Sequence, residues 1–198
     1  MRKQLIVACL FTVLTTLLLG LGYPLGITLL AHLLMPQKAD GQLIVRNGIV
    51  IGSRLIGQPF TSPRYFNSRP SAAGTGYDAA NSSGSNLGPT NATLIARVEQ
   101  SVQAWHVREA NTINATADVP VDLVTTSGSG LDPDITVAAA EYQVPLVAQN
   151  RGLPENQVER LVQTHIEPRQ FGFLGEPRVN VLELNLALDR LAAERKQP

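Results

Sequence analysis

The sequence predicts an α+β membrane protein: one N-terminal transmembrane helix followed by a single helix-rich mixed α/β extracytoplasmic domain. Three observations carry that prediction. Residues 5–35 read LIVACLFTVLTTLLLGLGYPLGITLLAHLLM, and no formal charge lies between Gln4 and Gln37. Residues 36–198 are polar, with Gly and Pro throughout, and are long enough for one domain with its own core. Within them, one hairpin signal near residue 43 is followed by several stretches of helical period. The expected division is therefore 1–35, a short cytoplasmic stub and span, and 36–198, the outer domain.

A membrane-crossing helix needs roughly 20 apolar residues, and this run exceeds that. A cleavable signal has an apolar region of only ~7–15 residues before a small-residue cleavage site. Here the run ends in Leu33-Leu34-Met35-Pro36, so it is expected to stay as an anchor. Arg2 and Lys3 precede it, and the positive-inside bias puts that flank in the cytoplasm and the bulk of the chain outside. Ala8, Thr12, Thr16 and Gly20 recur every fourth residue and line up small side chains on one ridge, where another helix can come close. Tyr23-Pro24 follows, and proline removes a backbone donor and kinks helices. At 1.5 Å per residue the run would measure ~46 Å against a ~30 Å hydrocarbon core, so a bend or a protruding end is expected.

After the span, Leu43–Arg46, Asn47-Gly48 and Ile49–Ile51 spell a hairpin with a type I′ turn, whose second strand is expected to run on toward Ile56. Residues 58–90 are rich in Gly, Pro, Ser and Asn and have no apolar period. Four of the chain's ten aromatic residues, Phe60, Tyr65, Phe66 and Tyr77, lie in this stretch, which argues for an ordered surface loop rather than a floppy linker. A helix is expected over 92–109 with Leu94, Ile95, Val98, Val102 and Trp105 on one face. Pro120–Thr125 reads as a short strand, and Ser127–Gly130 as a tight turn. Asp132-Pro133 should open a helix with Ile135, Ala138, Ala139 and Tyr142 inward, broken or bent at Pro145 and stopped by Gly152. Pro154 starts another helix, burying Val158, Leu161, Val162 and Ile166. Gln170–Gly175 is a turn. Residues 180–192 carry helical spacing with Asn180 as cap; alternation leaves a strand open, and Ala and Leu favour helix.

The chemistry of the chain is sparse. Sixteen basic and sixteen acidic residues balance, and the segment beyond the span holds 14 basic and 16 acidic groups, so no basic patch signals nucleic acid. The one cysteine, Cys9, lies in the span. His32, His106 and His165 are not spaced as metal ligands. Ser127 or Ser129 with His165 and Asp122 could be drawn as a triad, but the G-x-S-x-G turn is absent. No catalytic centre and no metal site are expected.

Several blocks, in order along the chain, resemble one family. They are Gly22-Tyr23-Pro24-Leu25, Leu55-Ile56-Gly57-Gln58, Phe60…Tyr65-Phe66…Arg69-Pro70-Ser71 and Gly84-Ser85-Asn86-Leu87-Gly88. Pro120–Thr125, Ser127–Asp132 and Val179–Asp189 complete the set. Together they are similar to the C subunit of the bacterial Kdp potassium-transporting ATPase, with one departure at Asn91-Ala92, where Asn-Pro would be expected. The resemblance implies a heteromeric uptake pump of the inner membrane. A channel-like subunit binds potassium, a P-type ATPase subunit hydrolyses ATP, and this small subunit stabilises the complex. It also implies a catalytic chaperone that raises the ATP affinity of the ATPase subunit. The chain should need no cofactor of its own; ATP belongs to the complex and potassium is the transported ion. The ridge residues with Tyr23 and Pro24 are then expected to pack on other spans. Phe60, Tyr65, Phe66, Arg69, Pro70 and Tyr77 are expected to contact the channel subunit's external mouth. A membrane-anchored periplasmic enzyme or binding module is the alternative; it needs paired titratable groups in a cleft, whereas the carboxylates here are scattered singly.

Overall fold

The computed structural model describes residues 1–194 and divides into two compact units, Met1–Ser53 and the chain from Arg54 onward. In the first unit one helix runs unbroken from Arg2 to Leu34. It consists of α1 (Arg2–Thr15), a π-helical stretch (Thr16–Gly22) and α2 (Tyr23–Leu34). Proline at position 24 does not end the helix. Instead the turns just before it widen, with the Tyr23 N–H donating to the Leu18 carbonyl five residues back. A wider turn gives room for the ring that would otherwise strike the carbonyl four residues earlier. The apolar helix is followed by a short helix α3 (Pro36–Ala39) and the expected hairpin, β1 (Leu43–Arg46) and β2 (Ile49–Ser53), paired antiparallel with Val45 opposite Val50. Asn47 and Gly48 take φ of 53° and 77°, the left-handed pair a type I′ turn requires. The second strand stops at Ser53, whose hydroxyl donates to the Gly41 carbonyl at 2.7 Å, and does not run on to Ile56.

The second unit holds α4 (Ala92–Arg108), β3 (Asp134–Thr136), α5 (Val137–Arg151), α6 (Glu155–Thr164), β4 (Ile166–Glu167), β5 (Arg178–Asn180) and α7 (Val181–Glu194). The three strands form a small antiparallel sheet in the order β3-β5-β4. Its centre is α5, buried at every position from Ala139 to Ala148 except the exposed Glu141. A helix apolar nearly all round belongs in a core rather than at a surface. Packed against it are Val158 and Val162 of α6, Leu184 and Leu188 of α7, Trp105 of α4, and Phe66 from the long loop.

Four expectations need correction here. Pro120–Thr125 is not a strand: Val121–Leu123 form a single 3-10 turn, closed by the Leu123 N–H on the Pro120 carbonyl at 3.0 Å. Its Asp122, Leu123 and Val124 are buried in succession, so no side-chain alternation exists for a ladder to use. The helix does not open at Asp132-Pro133. Residues 134–136 pair with β5 instead, and Thr136 caps α5 by accepting from the Ala139 N–H at 3.2 Å. Pro145 lies inside an unbroken α5, its ring buried with its neighbours. Ala138 and Ile95 point outward.

Other expectations hold. Gly152 ends α5 in the left-handed region at φ 64°, and the Leu153 N–H returns to the Ala148 carbonyl at 3.0 Å in a Schellman closure. The α4 helix starts at Ala92 under Asn91, whose side chain accepts from the Thr93 N–H at 2.8 Å, so the missing proline costs no boundary. The last segment is a helix, with Asn180 Oδ1 accepting from the Glu183 N–H at 3.2 Å.

Candidate functional site: an outward span and a docked loop

No residue of α1, the π-helical stretch or α2 is buried. Ala8 and Thr12 lie in α1, Thr16 and Gly20 in the π-helical stretch, and Tyr23 and Pro24 open α2; all six are exposed. A methyl placed on Gly20 would sit 3.8 Å from Thr16 Cγ2, so these two are neighbours on one ridge. The lone cysteine, Cys9, is also exposed. Such a surface suits lipid or other helices, and small residues let a second backbone approach.

The 58–90 loop is built the other way. Two helix amides hold its backbone from inside the core. Asn185 of α7, 2% exposed, accepts from the Phe66 N–H and donates to the Phe66 carbonyl, both at 2.9 Å. Gln143 of α5, 1% exposed, accepts from the Asn67 N–H at 2.7 Å and donates to the Asn67 carbonyl at 3.2 Å. Each amide therefore replaces the missing ladder partner of one loop residue. That satisfies buried backbone groups which no sheet or helix serves. Phe66 fills the core at 0% exposure.

Phe60, Tyr65, Arg69, Pro70 and Tyr77 are half-buried. The Tyr65 hydroxyl reaches both Asp189 oxygens at 3.2 Å, and its ring carries the Arg151 guanidinium 4.5 Å from the centroid. Arg151 in turn pairs with Asp189 at 2.8 Å and donates to the Arg64 carbonyl at 2.6 Å. Arg69 lies between Asp132 at 3.4 Å and Asp122 at 3.7 Å. Tyr77 donates to the Arg69 carbonyl, and burial pushes its phenol up from the ordinary tyrosine range. Ser71 donates to the Gly130 carbonyl at 2.6 Å and accepts from the Tyr77 N–H at 2.8 Å. Gly130, at φ 67°, comes so close that an added Cβ would lie 2.5 Å from the Ser83 carbonyl oxygen. The loop and the 121–132 segment are thus stitched together by short polar contacts and glycine-only approaches.

Of the six expected contact residues, then, the structure gathers all in one docked loop, but Phe66 presents no surface. The anchoring pair Gln143 and Asn185 was missed in the sequence. A signal existed: each is an amide set within an apolar helical run, Tyr142-Gln143-Val144 and Leu184-Asn185-Leu186.

The family model described as KdpC, the K+-transporting ATPase c chain, matches residues 5–190. The chain belongs to the KdpC family. A potassium-transporting ATPase KdpC subunit from Koribacter versatilis is 61% identical over 189 residues, covering 96% of this chain and 95% of that protein. The Acidobacterium capsulatum KdpC subunit is 56% identical over 184 residues, covering 93% and 96% of the two chains. A Mycobacterium tuberculosis KdpC subunit is 53% identical over 191 residues, covering 96% of this chain and all of that protein. The KdpC match takes in both the outward span and the docked loop. Membership makes this an accessory chain of a potassium-transporting ATPase, and its apolar helix is consistent with single-pass anchoring.

Proposed function

We propose that this chain is the non-catalytic accessory subunit that stabilises and assembles a high-affinity, ATP-driven potassium uptake complex. Its partners are a channel-like potassium-binding subunit and a P-type ATPase subunit. The span lies in the inner membrane with its N-terminus in the cytoplasm, and the following domain is extracytoplasmic. The observation that carries this reading is the uncovered span, with its ridge of Ala8, Thr12, Thr16 and Gly20, in a chain of the KdpC family. A helix of 33 residues spans ~50 Å, well beyond a ~30 Å hydrocarbon core even at ordinary tilt. Neighbouring membrane chains would cover the excess.

The chaperone effect, a raised ATP affinity of the ATPase subunit, belongs to the same proposal. With the outer domain outside the cytoplasm, it would act through the complex rather than by direct contact with ATP. The test is a pull-down of the tagged chain in mild detergent from potassium-limited cells. Copurification of a large channel-like chain and a P-type ATPase, with a lower KM for ATP than in complexes lacking this chain, is expected. Recovery of a lone chain would overturn the assembly role, and an unchanged KM would remove the chaperone part alone. Ser62→Cys, probed with a membrane-impermeant maleimide in intact spheroplasts, checks the orientation; the thiol should label from outside.

A further inference from the structure

Glu109 stands at the C-cap of α4, with φ −88° and ψ 3°, and its side chain is 0% exposed. One oxygen, Oε2, accepts from the Thr112 hydroxyl at 2.5 Å; the other, Oε1, has no hydrogen-bond partner among the described residues. Among the described residues, the Tyr142 hydroxyl and Arg108 Nη2 are likewise buried without a hydrogen-bond partner. The titratable groups that bear on Glu109 are Arg108 on its own helix and Tyr142 on α5, while the following turn brings the Thr112 hydroxyl. A buried carboxylate needs several hydrogen bonds or an ion pair to be tolerated, and one hydroxyl falls short of that. Burial accordingly pushes the Glu109 carboxyl up, and Thr112 and Arg108 offset this only in part.

Arg108 is committed elsewhere. Its Nη1 donates to Asn67 Oδ1 at 3.0 Å, and its guanidinium lies 4.5 Å from the Trp105 ring centre. Asn67 is the loop residue whose backbone Gln143 clamps. Side chains one apart on a helix do not face each other, so an Arg108–Glu109 pair requires the last turn of α4 to loosen.

We propose that Glu109 is a proton-operated latch on the 58–90 loop. Protonated, it leaves Arg108 bound to Asn67 and stacked on Trp105. Ionised, it draws the Arg108 guanidinium to itself, and the side-chain tie on Asn67 is lost. The sign follows from where the proton is held more tightly. The folded chain binds it more tightly than the unfolded chain, so the contribution to stability is complete below about 4.5, the ordinary Glu value. It is lost as pH rises from there through the raised folded value. Loop docking is therefore tightest on the acid side.

Trp105 is the chain's single tryptophan and reports the position of Arg108 directly. Its emission should be titrated in the full chain in detergent from about pH 4 to 9. A one-proton transition above about pH 4.5 is expected in the wild type. Glu109→Gln, which keeps the shape of the neutral acid, should abolish it, and His106→Gln should keep it. Asn67→Ala, which removes the competing acceptor of Arg108, should move the midpoint down by about one unit. Exchange of the Asn67 N–H, corrected for its intrinsic rate, should quicken about tenfold on the alkaline side in the wild type and in His106→Gln but not in Glu109→Gln. Absence of any transition overturns the latch, as does one that survives Glu109→Gln, vanishes in His106→Gln or ignores Asn67→Ala.

Discussion

Along the span no residue is buried, and the helix is held by its own backbone and a few local side-chain contacts such as the Thr15 hydroxyl on the Phe11 carbonyl at 2.8 Å. In the 58–90 loop the composition is polar, yet Phe66 is in the core and two buried amides grip the backbone beside it. The comparison shows that polarity and burial can trade places. An apolar helix of this length is free to meet partners where a membrane replaces water around it. A Gly- and Ser-rich loop becomes rigid once its backbone groups find fixed partners. Change in the span should therefore affect assembly and leave folding alone, whereas change in the loop's anchors should do the reverse.

The sharpest way to break that contrast is Phe66→Ala. Emptying a fully buried aromatic site should cost about 3–5 kcal/mol. Urea unfolding of the purified chain would show it as a lower midpoint, and any loss from the complex would be secondary to unfolding. Next comes Asn185→Ala, which strands the N–H and C=O of Phe66 in the core. It should cost about 2–4 kcal/mol and expose residues 64–68 to proteolysis. Tyr65→Phe removes a hydroxyl shared with Asp189 at a half-buried site and should cost about 1 kcal/mol, read by the same unfolding curve. At the small end for stability is the triple change of Thr12, Thr16 and Gly20 to Leu. It should leave membrane insertion and the unfolding midpoint intact, yet lower the yield of complex in pull-downs. If the complex survives it, the span is only a tether. Phe171→Ser, at a turn position 79% exposed, should shift stability by less than about 0.5 kcal/mol and serves as the control.

Where local chemistry decides conformation, the sequence is legible. Asn47-Gly48 demands its turn, Gly152 its helix end, and the apolar run its helix. The family, too, is readable from blocks spread along the chain. What escaped depends on partners distant in sequence. Residues 134–136 follow a good helix-start signal, but β5 offers them a ladder, and a ladder 44 residues away leaves no local trace. Pro145 reads as a break or a bend, yet α5 runs on through it unbroken, and burial of most of that helix outweighs one missing hydrogen bond. Phe66 reads as a surface aromatic because its neighbours are polar, and the clamps that bury it come from Gln143 and Asn185. An amide in mid-helix looks like solvent-facing decoration unless the apolar residues on both sides of it are given weight.

Those clamps also bear on the order in which the chain can fold. The Asn67–Gln143 contact spans 76 residues and the Phe66–Asn185 contact spans 119. Closing loops of that size is entropically costly and comes late unless other contacts have already shortened them. The loop is consequently a lid on a nearly finished core: it cannot latch until α5 has formed and α7 has arrived. During synthesis, residues 64–68 leave the ribosome more than a hundred residues before Asn185 does. Through that interval Phe66 has no home, and the segment is a natural client for whatever shields unfolded chains on its side of the membrane.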